Sequence, residues 1–175
     1  MLQIRLKPRG ERGSSASILR ASRMARMLCD QYGAAMIVND RVDLALLAKA
    51  DGVHLGQTDV PIASAREISQ GRLWIGVSTH NISQVTAAVA AGADYLGYGP
   101  VFTTTTKQRP DPTQGLPALR AAVLAAGKTP VVAIGGVTPA DADAVYATGA
   151  AAICAISAVN AAPDLAAAAR AFARS

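Results

Sequence analysis

The sequence predicts an α/β protein of the TIM (βα)8-barrel type, and three observations support this. The 175 residues are 51% hydrophobic but only 4% aromatic, a composition that suits helices packed on a parallel sheet. A pattern of Ala-rich helix, small-residue turn and short apolar strand recurs at 50–56, 92–99 and 149–156. Polar residues follow several strands, where such barrels place their active sites. We expect one domain over residues 1–175.

Alternating apolar runs and amphipathic stretches predict seven βα units. The predicted strands are 2–7, 35–40, 52–56, 73–79, 95–101, 131–136 and 152–158. The predicted helices are 16–32, 41–50, 61–69, 81–91, 116–127, 138–148 and 163–173. Because a complete barrel has eight units, we expect that the first strand and helix are missing from this chain. That leaves a gap between the first and last strands, whose unpaired edges favour self-association.

Charge and cysteine content argue against several classes of protein. The net charge is +5, but the basic residues lack the interleaved aromatic residues and the motif of a nucleic-acid-binding protein. No apolar run approaches a membrane span, and the N-terminus lacks the apolar core of a secretory signal. Cys29 and Cys154 lie in apolar segments and predict buried thiols, which indicates a cytoplasmic protein.

The first strand carries a row of polar side chains. Gln3, Arg5 and Lys7 alternate with apolar residues and therefore share one face. An unpaired charge inside a barrel is unfavourable, so we expect the two cations to bind an anion at its mouth. The alternative is an exposed edge strand protected by charge.

The next two strands each end near a carboxylate. Asp40 follows the second strand and Asp59 lies just beyond the third, so both acids are expected at the same rim. A hard cation with a phosphate substrate requires such a pair. The alternative is that Asp40 and Asp59 cap the helices that follow them.

The fourth strand ends in Ser78, Thr79 and His80. Ser78 can hydrogen-bond a leaving group, and His80 can act as an acid or a base. The alternative is that Ser78 or Thr79 caps the next helix, with His80 merely nearby. His54, in the middle of the third strand, is expected to be structural.

Three later loops are candidates for phosphate binding. The long loop 102–114 contains Thr104, Thr106 and Lys107, whose hydroxyl and ammonium groups can donate to phosphate oxygens. The sixth strand ends at Gly136, where the backbone can approach a ligand closely. The seventh ends with Ile156 and Ser157, and the loops after the last two strands of a barrel often bind phosphate through backbone N–H groups.

Together these segments resemble the thiamine-phosphate synthase (thiamine-phosphate pyrophosphorylase) family. The resemblance runs from Leu2 to about Ala161, and seven stretches in the right order make it specific. They are Gln3-x-Arg5-x-Lys7, Val38–Ala45, Asp51–Asp59, Gly76–His80, Gly97–Lys107, Ala133–Gly136 and Ile156–Ala158. Thr103 and Gln108 differ from the residues expected beside Thr104, Thr106 and Lys107.

The resemblance implies a cytoplasmic TIM barrel that joins hydroxymethylpyrimidine diphosphate to thiazole phosphate, releasing pyrophosphate, with Mg²⁺ as cofactor. It implies that Asp40 and Asp59 hold the metal, and that Gln3 lies near the pyrimidine. Arg5, Lys7, Asn39 and Lys107 would hold the diphosphate, and Ser78 would bond the diphosphate or the departing pyrophosphate. The thiazole phosphate would be bound by Thr104, Thr106, Gly136, Ile156 and Ser157.

Two alternatives stay open at this point. A thiazole tautomerase of the same fold would use a histidine such as His80 in place of a diphosphate clamp. An inactive relic would keep the thiazole phosphate site without the chemistry. In either case no nucleic acid or membrane partner is expected. The absence of a first βα unit predicts a marginally stable monomer that is stabilised by homo-oligomerisation or by ligand.

Overall fold

Strands and helices alternate along the chain in the predicted order as far as β7, which is followed by two helices and not by one. A computed structural model describes residues 1–7, 13–104 and 112–173. The strands are β1 (Leu2–Ile4), β2 (Met36–Asn39), β3 (Gly52–Leu55), β4 (Trp74–Thr79), β5 (Tyr95–Tyr98), β6 (Val131–Ile134) and β7 (Ala152–Cys154). The helices are α1 (Ser15–Gln31), α2 (Val42–Leu47), α3 (Ile62–Ser69), α4 (Ile82–Ala90), α5 (Gly115–Ala126), α6 (Ala142–Tyr146), α7 (Ser157–Asn160) and α8 (Leu165–Arg170). No helix within the described ranges has both the length and the apolar character needed to cross a membrane.

The chain divides into two compact units. The first comprises Met1–Val77 with Ala91–Asp94, and the second comprises Ser78–Ala90 with Tyr95–Ser175. In the first unit β2 pairs in parallel with β1 and β3, and β3 pairs with β4. In the second unit β6 pairs in parallel with β5 and β7. The single domain expected over residues 1–175 stays a prediction.

Strand register separates an aliphatic face from a polar one in the first unit. Val38, Val53 and Ile75 align across β2, β3 and β4 and are fully buried. The next residues along β2 and β3, Asn39 and His54, also align with each other. Because successive side chains of a strand alternate, these two polar residues share the face opposite the aliphatic row.

Helix α1 buries one face and is capped at its start. The Ser14 hydroxyl accepts a hydrogen bond from the Ser17 N–H at 3.2 Å, which satisfies one of the donors left open at a helix N-terminus. Ile18, Ala25 and Cys29 lie on the buried face at helical spacing. Ser22 lies among them, fully buried, and its hydroxyl has no hydrogen-bond partner among the described residues.

Two of the repeated sequence motifs have a common structural basis. Just before β3, the Asp51 carboxylate accepts hydrogen bonds from the Met36 N–H at 2.6 Å and from the Arg26 guanidinium at 2.7 Å. The Asp51 N–H in turn donates to the Met36 carbonyl at 2.9 Å. One aspartate therefore links helix α1 to the start of β2.

The arrangement recurs before β5. The Asp94 carboxylate accepts from the Ile75 N–H and from Arg66, both at 2.6 Å, so it links α3 to β4. At the third repeat the backbone bond is kept, from the Ala151 N–H to the Val131 carbonyl at 2.8 Å, but alanine supplies no carboxylate. We call the first two the Asp51 and Asp94 clamps.

All seven strands are shorter than the sequence indicated, and the difference reaches three or four residues in β1, β5 and β7. Strand β1 ends at Ile4, so residues 5–7 lie beyond it and strand alternation does not set their direction. Strand β7 ends at Cys154, because residues from Ser157 onward turn into a helix in which the Asn160 N–H donates to the Ile156 carbonyl at 2.8 Å. Periodicity alone cannot separate a short apolar strand from a short helix.

Candidate functional site

The predicted site residues fall into two groups, one in each unit. The first unit contains Gln3, Arg5, Lys7, Asn39, Asp40 and Asp59. The second contains Ser78, Thr104, Gly136, Ile156 and Ser157. Thr106 and Lys107 lie outside the described residues.

Lys7 and Asp40 form an ion pair in the first unit. Lys7 Nζ lies 2.7 Å from Asp40 Oδ2, and the two side chains are 49% and 29% exposed. Lys7 follows β1 and Asp40 follows β2, so adjacent parallel strands deliver a cation and an anion to the same end of the sheet. The alternative of an exposed edge strand guarded by charge stays open, since Arg5 and Lys7 are both exposed.

Asp40 adopts a backbone conformation that is unusual for a residue with a side chain. Its φ is +64°, and the Arg41 N–H donates across it to the Asn39 carbonyl at 2.8 Å, closing a three-residue turn. Positive φ at a residue other than glycine is strained and tends to occur at functional sites. Asp40 does not cap α2, whose N-cap residue is Arg41 without a side-chain capping bond.

Asp59 lies beside Asp40 and does not cap a helix either. Its Oδ2 accepts a hydrogen bond from the Gly56 N–H at 2.6 Å, whereas the N-cap residue of α3 is Pro61. Burial raises the pKa of the Asp59 carboxyl, and the charge and hydrogen bonding of Asp40 raise it further. The capping alternative is therefore wrong for both acids, and the structure brings them together as the strand ends predicted.

The donor set suits a hard divalent cation that also binds a substrate. Asp40 and Asp59 are adjacent carboxylates, and their negative charges repel each other when both are ionised. A cation between them would offset this repulsion and bind an oxygen from each. Among the described residues, no three His, Cys, Asp or Glu side chains group as a metal site. Mg²⁺ commonly takes one or two carboxylates and completes its shell with waters and substrate phosphates, so the pair fits Mg²⁺.

His54 faces the same side of the sheet as Asn39. Burial lowers the pKa of its imidazole to about 4, with Asp40 acting to raise it and Arg5 to lower it. His54 is therefore neutral at pH 7. His54 was expected to be structural, and its alternation with Val53 and Leu55 places it opposite the aliphatic face.

Arg41 was not among the predicted site residues, but its side chain holds the backbone that follows Asp40. Its guanidinium bonds both carboxylate oxygens of Asp43 and donates to the Ser15 hydroxyl at 2.8 Å. The hydrogen bonds from Arg41 hold the pKa of Asp43 below its usual value. Arg41 thereby ties the strained turn at Asp40 to the start of α1. The available signal in the sequence was a basic residue directly after Asp40. An exposed arginine at the start of a helix is too common to indicate a role by itself.

In the second unit, the segment 99–103 packs directly on the end of β6. The Val101 N–H donates to the Ile134 carbonyl and the Phe102 N–H to the Gly135 carbonyl, both at 2.9 Å. A Cβ on Gly136 would meet the Thr103 carbonyl oxygen and the Phe102 backbone. Glycine is therefore required at Gly136 both by its φ of +66° and by this close approach.

The start of α4 differs from the alternative considered above. Asn81, rather than Ser78 or Thr79, caps the helix, because its Oδ1 accepts from the Gln84 N–H at 2.9 Å. The buried Thr79 hydroxyl instead donates to the Gly97 carbonyl at 3.1 Å.

The remaining candidates of the second unit lie at two other places. Thr104 follows the packed segment and is half-buried. Ile156 immediately precedes α7, and Ser157, its exposed first residue, begins a helix of only four residues.

Comparisons with known proteins agree on one family. The family model described as thiamine monophosphate synthase matches residues 1–159. The chain is 44% identical over 165 residues to the thiamine-phosphate synthase of Methanospirillum hungatei, covering 94% of this chain and 80% of that protein. It is 47% identical over 152 residues to the thiamine-phosphate synthase of Laribacter hongkongensis, covering 87% and 71% respectively.

Solved structures give the same result for the fold. The thiamine phosphate pyrophosphorylase from Pyrococcus furiosus superimposes with a TM-score of 0.87 at 39% identity, covering 97% of this chain and 79% of that one. A 3-hexulose-6-phosphate synthase superimposes with a TM-score of 0.71 at 23% identity and shows the fold alone. The predicted fold class, a TIM-barrel type with seven βα units in this chain, is confirmed.

Proposed function

Because the chain belongs to the thiamine monophosphate synthase family, we propose that it joins hydroxymethylpyrimidine diphosphate to thiazole phosphate. The products would be thiamine phosphate and pyrophosphate. In the reaction the bond between the pyrimidine methylene and the diphosphate oxygen breaks, and its electron pair leaves with pyrophosphate. The thiazole nitrogen lone pair then forms the new C–N bond, so the step needs no protein nucleophile.

The observation that carries the proposal is the Asp40, Asp59 and Lys7 cluster. A diphosphate leaving group accumulates negative charge as its bond to carbon breaks, and the site must stabilise that charge. Mg²⁺ held by Asp40 and Asp59 would supply electrostatic stabilisation of the leaving group. Lys7 is 2.7 Å from Asp40, close enough to turn its ammonium group from that carboxylate to a bound diphosphate.

The other residues would then position the two substrates. In the first unit we propose that Arg5 and Asn39 bind the diphosphate and that Gln3 binds the pyrimidine. Ser78 and Lys107 would contact the departing pyrophosphate. The thiazole phosphate would be bound through hydroxyls and backbone N–H groups of the second unit by Thr104, Thr106, Gly136, Ile156 and Ser157.

The test is an assay of the purified 175-residue chain for thiamine phosphate, with Mg²⁺ and with the metal chelated. We expect Mg²⁺-dependent product, and we expect Asp59→Asn to lower turnover by at least 100-fold, as loss of a charge-stabilising group does. Asp30→Asn is the matched control, since the Asp30 side chain is 68% exposed and pairs with Arg26 Nε at 3.0 Å. Folded, Mg²⁺-loaded protein without product would contradict the proposal and leave the binding relic as the better description.

We also propose that the protein acts in the cytoplasm on small-molecule substrates. No disulfide forms among the residues that the structure describes. Cys29 is buried as a thiol, as predicted, whereas Cys154 is only partly buried. Reduced cysteines are usual in that compartment. Fractionation of cells that express a tagged chain would test this, and recovery from the periplasm would contradict it.

A further inference from the structure

His80 reaches from the end of β4 to the backbone after β5. Its Nδ1 lies 2.5 Å from the Gly99 carbonyl oxygen, in a partly buried contact. A carbonyl oxygen can only accept a hydrogen bond, so Nδ1 must carry the hydrogen and donate it. This contact fixes both the tautomer and the orientation of the ring.

Gly99 starts the segment 99–103, which is held in place by backbone hydrogen bonds and close backbone contacts along its length. Its N–H donates to the Thr79 carbonyl at 3.2 Å, and a Cβ added to it would collide with the Ile134 carbonyl oxygen. The segment then follows β6 through the hydrogen bonds of Val101 and Phe102 described above and ends against Gly136. A shift of Gly99 therefore cannot be absorbed locally and would move the backbone beside Gly136 and Thr104.

We infer that His80 is a positioning residue, which holds the Gly99 carbonyl and so keeps Gly136 and Thr104 in place for a phosphorylated substrate. This inference rests on the proposed function, in which these two residues bind the thiazole phosphate. His80 acts through the Gly99–Thr104 segment and not by transferring a proton to or from the substrate. It therefore differs from the acid–base role that a thiazole tautomerase would require.

Two isosteric variants separate these roles. The Nδ2 amide nitrogen of asparagine occupies the place of His Nδ1, so His80→Asn can still donate to the Gly99 carbonyl. Glutamine places its amide where Nε2 lies, so His80→Gln loses the donor at Nδ1 but keeps a polar side chain. Steady-state kinetics of both variants would be measured with each substrate varied, together with circular dichroism and thermal melting.

We expect His80→Gln to raise the KM for thiazole phosphate by about three- to tenfold, the loss expected for one hydrogen bond, with kcat almost unchanged. His80→Asn should keep the wild-type KM, and both should keep the wild-type pH profile of kcat. Gln84→Ala is the control, because Gln84 accepts from the His80 backbone N–H at 2.7 Å and not from its ring. It should lower stability without raising KM.

Equal loss of kcat in both His80 variants, or an altered pH profile in His80→Asn, would overturn the inference in favour of proton transfer. Wild-type kinetics in both variants would overturn it as well.

Nuclear magnetic resonance tests the inference even if the wild-type chain proves inactive. The imidazole ¹⁵N shifts should show an Nδ1–H tautomer. The amide signals of Val101 and Phe102 should move in His80→Gln but not in His80→Asn. An Nε2–H tautomer, or signals that stay in place in both variants, would refute the positioning role, whereas an inactive chain with the expected shifts would refute only the proposed activity.

Discussion

Asp40 combines a strained backbone conformation, with positive φ, with a carboxylate side chain in the candidate site. A residue with a Cβ in the left-handed region is less stable there than glycine by about 1–2 kcal/mol. Asp40→Ala and Asp40→Gly both remove the carboxylate and its pairing with Lys7, so they differ only in backbone freedom. We expect Asp40→Gly to be the more stable of the two by about 1 kcal/mol in urea unfolding, with neither binding Mg²⁺.

Asp59 provides the control for that comparison. It is not among the described residues with positive φ, so Asp59→Gly should be no more stable than Asp59→Ala. If Asp40→Gly also proved no more stable than Asp40→Ala, the turn at Asp40 would not be strained.

His54 makes stability depend on pH between about 4 and 6.5. Its pKa is about 4 in the folded protein, against about 6.5 when unfolded. Between these values the unfolded state binds more protons, so the free energy of unfolding falls as the pH drops from 6.5 to 4. Over this whole pH range the titration of His54 changes the free energy of unfolding by roughly 3 kcal/mol. We expect His54→Gln to flatten this part of the stability curve, measured by urea unfolding of metal-free protein at pH 7 and pH 4.

A wild-type and a His54→Gln curve that stay parallel would show that His54 titrates normally. Groups remote from the imidazole are common to both proteins and cancel in the difference.

At the scale of single residues, the sequence placed Asp40 and Asp59 together because parallel strands deliver their ends to one edge. It could not show the γ-turn at Asp40 or the hydrogen bond from His80 to Gly99. Both depend on φ angles and on distances between residues far apart in sequence. The roles of the predicted site residues stay predictions.

Among the elements, the Asp51 and Asp94 clamps are the clearest polar links between helices and strands. We expect Asp51→Asn and Asp94→Asn each to lower the free energy of unfolding by about 1–3 kcal/mol, because a charged acceptor of a backbone N–H and an arginine is lost. Chemical unfolding at pH 7 measures this. Burial opposes ionisation of Asp51, but its hydrogen bonds from Met36 and Arg26 outweigh burial and keep its pKa below the usual value.

The contribution of Asp51 should therefore persist at neutral pH and disappear as the pH falls below about 4, the pKa of an unperturbed aspartate. Asp30→Asn, which alters an exposed ion pair, should change stability by less than about 1 kcal/mol. Comparable losses in all three variants would argue against a special role for the clamps.

Helix α1 contains a correctable defect. The buried Ser22 hydroxyl has no described partner, and an unsatisfied buried polar group is destabilising. We expect Ser22→Ala to raise the free energy of unfolding by about 1 kcal/mol, seen as a higher melting temperature. Ser69→Ala is the matched control, since the buried Ser69 hydroxyl donates to the Arg66 carbonyl at 3.3 Å and should not be improved by removal.

Most element types were predictable, whereas the ends of the strands were not. Helix α1 begins at Ser15, one residue before the predicted start, because its long amphipathic period is visible in the sequence. Strands β1 and β7 were predicted too long. The alternating pattern of β1 and the apolar run of β7 both continue beyond the last residue that pairs with the neighbouring strand. Where a strand stops depends on its neighbour, which the local pattern does not contain.

For the whole molecule, we expect ligand-dependent stability. Binding to the folded state alone stabilises by mass action, which at about 100 times Kd corresponds to a melting temperature roughly 5–10 °C higher. Mg²⁺ together with inorganic pyrophosphate should produce this shift in differential scanning fluorimetry, and each alone should produce less. Asp59→Asn should abolish the joint effect. A high melting temperature that no ligand alters, in a monomer by light scattering, would contradict the expected marginal stability.

The contact of Gly99 and Gly136 with neighbouring backbone limits how this protein can diverge. Any side chain at these positions would strike main-chain atoms, which cannot rotate out of the way as another side chain could. Random mutagenesis in search of altered substrate preference should therefore yield few viable variants at these glycines. Specificity for a different phosphorylated ring would have to arise at residues whose side chains can change size. The backbone at Gly99 and Gly136 would stay the same in such variants.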